Sequence, residues 1–136
     1  MTRDEIKNLI PHREPMLLVD EATVENGVST GRYTVRGDEF FLQGHFPGNP
    51  VVPGVILCEM MAQSACVLLA EQVEGDITPY FTGLDKVKFR KVVRPGDTIE
   101  FTCTITAQKG PFFFGNGKGM VDGKVCVAGD FSFAVK

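Results

Sequence analysis

Residues 55–70 read VILCEMMAQSACVLLA, a run in which only Glu59, Gln63 and Ser64 are polar. We predict one long helix over Val55–Gln72, about 27 Å in length at 1.5 Å per residue. A helix that is apolar on all sides is surrounded by protein. A curved sheet must therefore wrap this helix, or a partner subunit must cover what the sheet leaves open.

The rest of the chain has the pattern of strands and turns. Thr2 and Glu5, spaced as a capping box, open a short N-terminal helix. Asn26-Gly27 and Asp122-Gly123 are hairpin turn signals. The candidate strands are Thr23–Val24, Thr30–Val35, Phe81–Phe89, Thr98–Ala107, Phe112–Val121 and Lys124–Val135. Residues 1–136 are therefore predicted to form one α+β domain, an antiparallel sheet with a single buried helix.

Composition excludes several classes of protein. The chain has 136 residues, 43% of them hydrophobic, and a net charge of -3, which gives no global reason to expect nucleic acid. No uninterrupted apolar run reaches the roughly 20 residues that cross a membrane. The four cysteines form no CxxC pair and only two histidines are present, so we expect no metal site. Reduced cysteines and a charged N-terminus without a secretion signal indicate a cytoplasmic protein.

The segment before the predicted helix is rich in proline and glycine. Residues 44–54 read GHFPGNPVVPG, which describes a stiff, sharply turning segment. Such a segment can hold the imidazole of His45 at the mouth of the helix. A histidine side chain titrates near neutral pH and is suited to removing a proton. Glu59 follows His45 by fourteen residues.

The helix adds an acid and a hydrogen-bond donor. Glu59 and Gln63, spaced i, i+4, share one face, so the amide can bond the carboxyl. Apolar surroundings raise the pKa of such a carboxyl, and the neutral acid can give its proton to a leaving hydroxyl. The N–H of Gly54, free at the helix N-terminus, can polarise a carbonyl. Each residue alone also fits a structural role. Together they favour proton abstraction α to a carbonyl with loss of a β-hydroxyl as water.

The motifs resemble those of a known family. Residues 44–50, GHFPGNP, with PGV at 53–55 and EMMAQ at 59–63, are similar to the 3-hydroxyacyl-acyl-carrier-protein dehydratases of bacterial fatty-acid synthesis, the FabZ type. IPHR at 10–13 and VRPGD at 93–97 extend the resemblance over nearly the whole chain.

That resemblance implies a hot-dog fold and a reaction without a cofactor, from (3R)-hydroxyacyl to trans-2-enoyl thioesters on acyl carrier protein. It implies His45 as base, Glu59 as acid, Gly54 N–H as donor to the thioester carbonyl and Gln63 as the residue that orients Glu59. It also implies a homodimer in which each active site takes the histidine from one subunit and the acid from the other. Such dimers commonly assemble into hexamers.

Other functions stay open at this point. The related dehydratase-isomerases typically carry aspartate at the position of Glu59, but isomerase activity also occurs with glutamate. A hot-dog thioesterase and a non-catalytic acyl-binding protein are further alternatives. His12 has no acidic partner nearby in the sequence, and we interpret it as structural.

Two surface features are secondary candidates. Lys86, Lys88, Arg90, Lys91 and Arg94 form a basic cluster that fits an acidic carrier protein or, equally well, a solvated strand. Strand alternation would place the first three on one face. Tyr80 and Phe81 are candidates for an aromatic gate over the acyl tunnel, and ordinary strand packing is the alternative.

Overall fold

The computed structural model describes residues 1–73 and 75–136. Two α-helices, a short 3₁₀ helix and six strands follow one another along the chain. They are α1 (Arg3–Lys7), β1 (Glu21–Glu25), β2 (Val28–Thr34), the 3₁₀ helix (Phe40–Leu42), α2 (Gly54–Gln72), β3 (Pro79–Phe89), β4 (Thr98–Lys109), β5 (Phe112–Val121) and β6 (Lys124–Val135). The predicted capping box is present, since Thr2 and Glu5 bond each other's backbone N–H.

The strands form one antiparallel sheet in the order β1-β2-β4-β5-β6-β3. Both predicted hairpin turns are confirmed. Asn26 and Gly27 have φ of 52° and 75°, and Asp122 and Gly123 have φ of 50° and 77°. Positive φ at both central residues is the requirement of the tight turn whose twist matches the flanking strands, and Asn-Gly and Asp-Gly meet it with little strain.

The central helix α2 packs against β1, β2, β4, β5 and β6, so the predicted hot-dog arrangement is confirmed. The helix begins at Gly54, one residue earlier than predicted. Glycines on the sheet allow its close approach. A Cβ on Gly31 would lie 2.8 Å from the Cβ of Ser64, and one on Gly117 would lie 3.0 Å from the side chain of Met61. Larger residues at these two positions would push the helix off the sheet.

Among the described residues, α2 is also the helix with the length and hydropathy of a membrane span. Its apolar surface is accounted for, because 67% of the 18-residue window lies buried inside the fold.

Strand β3 forms one edge of the sheet and pairs only with β6. Its pairing shifts between Asp85 and Lys88, and Lys86 in between has a positive φ of 53°. This bulge interrupts the alternation that we used to place Lys86 on one face with Lys88. Arg90 lies beyond the end of the strand. The prediction of a shared face for these three basic residues is therefore wrong in its premise of an unbroken strand.

Candidate active site

The loop that carries His45 is braced from within. The Nδ1 atom of His45 lies 2.9 Å from the carbonyl oxygen of Val51, and the Val51 N–H donates back to the His45 carbonyl at 2.9 Å. Phe46 and Asn49 exchange two further backbone hydrogen bonds. Arg94 donates to the Asn49 side chain at 2.6 Å and so ties the loop to the segment before β4. The imidazole is thus held by the loop on its Nδ1 side.

This contact determines which nitrogen of His45 can accept a proton. A backbone carbonyl only accepts hydrogen bonds, so Nδ1 carries the hydrogen when the ring is neutral. The lone pair then lies on Nε2, on the opposite side of the ring from the loop. The arrangement fits the predicted role of a base.

Gly54 is the first residue of α2, and Pro53 precedes it as the N-cap. The N–H of Gly54 has no backbone acceptor among the described residues. A Cβ here would lie 2.9 Å from two ring carbons of Phe89, so the residue must be glycine for this ring to keep its place. His45, Gly54 and Phe89 line one pocket of about 630 Å³.

Glu59 lies further along α2, in a polar network that the apolar helix sequence only partly predicts. The amide of Gln63 donates to Glu59 Oε2 at 2.8 Å, as the i, i+4 spacing predicted. Burial raises the pKa of Glu59, and the hydrogen bond from Gln63 opposes that shift. Gln63 also donates to the Met16 carbonyl at 2.7 Å and accepts from the Leu18 N–H at 2.8 Å. These two bonds fix the orientation of its amide.

The structure brings two residues to the site that the sequence reasoning missed. His12, interpreted as structural, has its Nε2 atom 3.6 Å from Glu59 Oε2. Phe89 packs on Gly54. His12 lies in the IPHR motif at 10–13, whose resemblance to the family's opening segment was a signal for it. For Phe89 we find no signal beyond its position at the end of a predicted strand.

Within one chain, His45 and Glu59 line different cavities. The carboxyl lies in a small cavity with His12, Gln63 and Phe81, and His45 is not among the residues that line it. Phe81 also packs on Phe133, with ring centroids 5.5 Å apart, whereas Tyr80 is 53% exposed. In residues 1–73 and 75–136, no group of three or more His, Cys, Asp or Glu side chains could hold a metal ion.

The basic residues occupy different environments. Arg90 and Lys91 line the pocket that contains His45 and Gly54. Lys86 and Lys88 are exposed on β3 and do not line it. Arg94 is bound to Asn49 of the His45 loop.

Comparison with known proteins agrees with these features. Residues 10–130 match the family model described as FabA-like domain. The chain is 46% identical to the 3-hydroxyacyl-[acyl-carrier-protein] dehydratase FabZ of Caldicellulosiruptor bescii, over 98% of this chain and 97% of that protein. It is 42% identical to the FabZ of Clostridium perfringens, over 99% of both chains.

Solved structures support the same fold. The dehydratase heterocomplex ApeI:P from Xenorhabdus doucetiae superposes with a TM-score of 0.84 at 23% identity, over 96% of this chain and 90% of that one. The fluoroacetyl-CoA-specific thioesterase FlK superposes with a TM-score of 0.69 at 15% identity, over 85% and 90%. Sequence identity this low shows the fold alone. Taken with the two close relatives and the matched family model, it follows that the chain belongs to the FabA-like family and, within it, to the FabZ-type 3-hydroxyacyl-[acyl-carrier-protein] dehydratases.

Proposed function

We propose that this chain is a hydro-lyase that converts a (3R)-hydroxyacyl group on acyl carrier protein into the trans-2-enoyl form and releases water. The observation that carries the proposal is the pocket shared by His45 and Gly54, where an imidazole with a free Nε2 lies near a free backbone N–H. We place the enzyme in the cytoplasm, because four free cysteines suit a reducing compartment.

In the proposed reaction, His45 Nε2 removes a proton from the carbon next to the thioester carbonyl. The Gly54 N–H and the positive end of the α2 dipole stabilise the negative charge that develops on the carbonyl oxygen. The electron pair then forms the double bond as the C–O bond of the β-hydroxyl breaks. Glu59 supplies the proton with which that hydroxyl leaves as water. The raised pKa of Glu59 supports this assignment, since it keeps the carboxyl protonated to higher pH than usual.

Substitution of the two catalytic groups tests the assignment. His45→Ala and Glu59→Gln should each slow the hydration of a crotonyl thioester, followed by absorbance, by at least about 100-fold. Glu71→Gln, which removes an exposed carboxyl near the end of the same helix, is the matched control and should retain activity. Turnover above about a tenth of the wild-type rate in either catalytic variant would contradict the roles. Release of free thiol in place of hydration would favour a thioesterase.

We further propose that the active site is completed by a second copy of the chain. His45 and Glu59 line different cavities in one chain, so a base and an acid for the same substrate need a partner. The edge strand β3 leaves one row of backbone groups unpaired and exposes Tyr80, Phe81, Leu84 and Phe89. An apolar edge of this kind is a pairing surface. We propose a homodimer that joins two β3 edges, and a hexamer built from three such dimers.

Mixing two inactive variants tests the shared site. If each site takes its histidine from one subunit and its acid from the other, refolding His45→Ala together with Glu59→Gln creates heterodimers with one intact site. An equal mixture should recover about a quarter of the wild-type rate. A mixture that stays inactive although heterodimers have formed would refute the shared site. Light scattering distinguishes the dimer from the hexamer.

We also propose that Arg90 and Lys91 receive the acyl carrier protein and that Phe81 gates the tunnel beside Glu59. The two basic residues line the His45 pocket, where a carrier must deliver its substrate. Arg90→Glu with Lys91→Glu should raise KM at least about tenfold for carrier-bound substrate and less than about twofold for a small thioester. Lys124→Glu, in the exposed β5–β6 turn, is the control. Equal effects on both substrates would count against carrier docking.

A further inference from the structure

The segment between α1 and β1 places a second histidine beside the proposed acid. His12 Nε2 lies 3.6 Å from Glu59 Oε2, and the two side chains are only 19% and 21% exposed. Both line the small cavity between α2 and β3. A surface ion pair would be solvated and weak, whereas this contact is largely removed from water.

Hydrogen bonds hold this segment in place on both sides of His12. The guanidinium of Arg13 donates at 2.7 to 2.9 Å to three backbone carbonyls, those of Lys7, Ile10 and His12. Arg3 donates to the carbonyl of Leu17 at 2.8 Å. Further along, Gln63 bonds the backbone on either side of Leu17. The imidazole therefore has a defined position relative to α2.

The donors around Glu59 converge on one of its two oxygens. Gln63 Nε2 donates to Oε2, and the His12 Nε2 atom approaches the same Oε2. No hydrogen bond among the described residues reaches Oε1. A carboxyl whose one oxygen accepts N–H groups holds its proton on the other oxygen. Oε1 is thus the atom left to protonate a leaving hydroxyl.

The surroundings of His12 determine which nitrogen carries its hydrogen. Burial and the nearby Arg13 charge lower the pKa of His12, so the ring is neutral near pH 7 and has one N–H. His12 Nδ1 is buried without a partner. A hydrogen there would have no acceptor, whereas a hydrogen on Nε2 points to the Glu59 carboxyl.

The other groups that face this pair add no competing charge. Burial raises the pKa of Cys58 and Cys66 on α2, so both thiols stay protonated. The remaining lining residues from the helix and from strands β3 and β6 are uncharged: Ala62, Gln63, Pro79, Phe81 and Phe133.

We propose that His12 is a positioning residue for Glu59: its Nε2–H, together with the Gln63 amide, holds Oε2 and turns Oε1 toward the substrate. The proposal rests on the proposed function, in which Glu59 protonates the leaving hydroxyl. It assigns the His12 segment a role in the chemistry beyond covering the core.

Two replacements of His12 separate its N–H from its bulk. His12→Phe keeps an aromatic ring over Glu59 but removes the donor, and it should lower kcat about tenfold or more with KM changed less than about twofold. A donor favours the ionised carboxylate, so its loss should also move the alkaline limb of the kcat profile to higher pH. His12→Asn returns an N–H and should recover part of the rate.

A measurement independent of turnover distinguishes positioning from folding. The Glu59 carboxyl, observed by ¹³C NMR and identified by its absence in Glu59→Gln, should titrate at higher pH in His12→Phe than in the wild type. Glu14→Gln is the control in the same segment, since Glu14 bonds Arg3 and Lys7 and does not touch Glu59. Thermal unfolding and light scattering of each variant report stability and oligomeric state.

The outcomes separate this proposal from the one it rests on. An active Glu59→Gln would remove the acid role itself. If Glu59→Gln is inactive while His12→Phe keeps its rate and its Glu59 titration, His12 does not position the acid. Equal losses in His12→Phe and Glu14→Gln, in step with lower thermal stability, would also overturn the proposal.

Discussion

Replacing Gln63 by methionine should lower the free energy of unfolding by about 2 to 4 kcal/mol. The side chain is only 1% exposed, and its amide satisfies the Leu18 N–H at 2.8 Å and the Met16 carbonyl at 2.7 Å. Each backbone group left without a partner costs about 1 to 3 kcal/mol. Methionine has a similar volume and suits a helix, so neither a cavity nor lost helix propensity should add much.

Denaturation by guanidinium, followed by far-UV circular dichroism, measures this loss. All proteins must be compared at one concentration, because the stability of an oligomer depends on it. Ser64→Ala is the matched control one residue along α2. Its hydroxyl is as deeply buried but bonds only the Met60 carbonyl of its own helix, so its loss should cost less than about 1 kcal/mol.

The comparison of the two variants can refute the reasoning. If Gln63→Met is no less stable than Ser64→Ala, the bonds to the Met16 and Leu18 backbone do not anchor the N-terminal segment to α2. The hydration rate should fall in Gln63→Met as well, because Glu59 Oε2 loses its 2.8 Å donor. Full activity in a destabilised Gln63→Met would separate the structural role of the amide from any role in positioning the acid.

Two further predictions concern Glu59 and Gly54. Because burial raises the pKa of Glu59, the folded protein binds this proton more tightly than the unfolded chain, and stability is lost as pH rises from 4.5 through the raised pKa. Glu59→Gln should therefore be more stable than the wild type near pH 8 but not near pH 4 in urea denaturation, and an equal difference at both would contradict this. Gly54→Ala would place a Cβ 2.9 Å from the Phe89 ring, which is 53% exposed and can move; we expect a loss below about 2 kcal/mol but a marked fall in hydration rate. Phe89→Ala added to Gly54→Ala should restore activity, and a double variant as slow as the single would show that Phe89 is not the cause.

Local signals predicted most of the fold because their causes are local. Asn26-Gly27 and Asp122-Gly123 specify tight turns by their tolerance of positive φ, and both turns form. The apolar run of α2 predicted its end at Gln72 and its start to within one residue. The bulge at Lys86 could not be predicted, because it depends on how β3 pairs with β6.

The same distinction applies to the site. His45, Gly54 and the Glu59–Gln63 hydrogen bond follow from short spacings in a stiff loop and one helix, so their placement was predictable. The contact of His12 with Glu59 joins α2 to a segment far away in the sequence. Nothing in the composition of either segment indicates that contact, which arises only when the chain folds the IPHR segment over α2.

The N-terminal segment therefore does more than lead into the sheet. Glu59 sits on a helix whose apolar sequence alone would raise its pKa without giving it an orientation. The orientation comes from Gln63, and the Gln63 amide is itself fixed by the backbone of Met16 and Leu18. His12 lies in that segment and approaches the same carboxyl oxygen. Changes that shift this segment, even without touching the acid, should thus alter the proton on Glu59 before they alter the His45 loop.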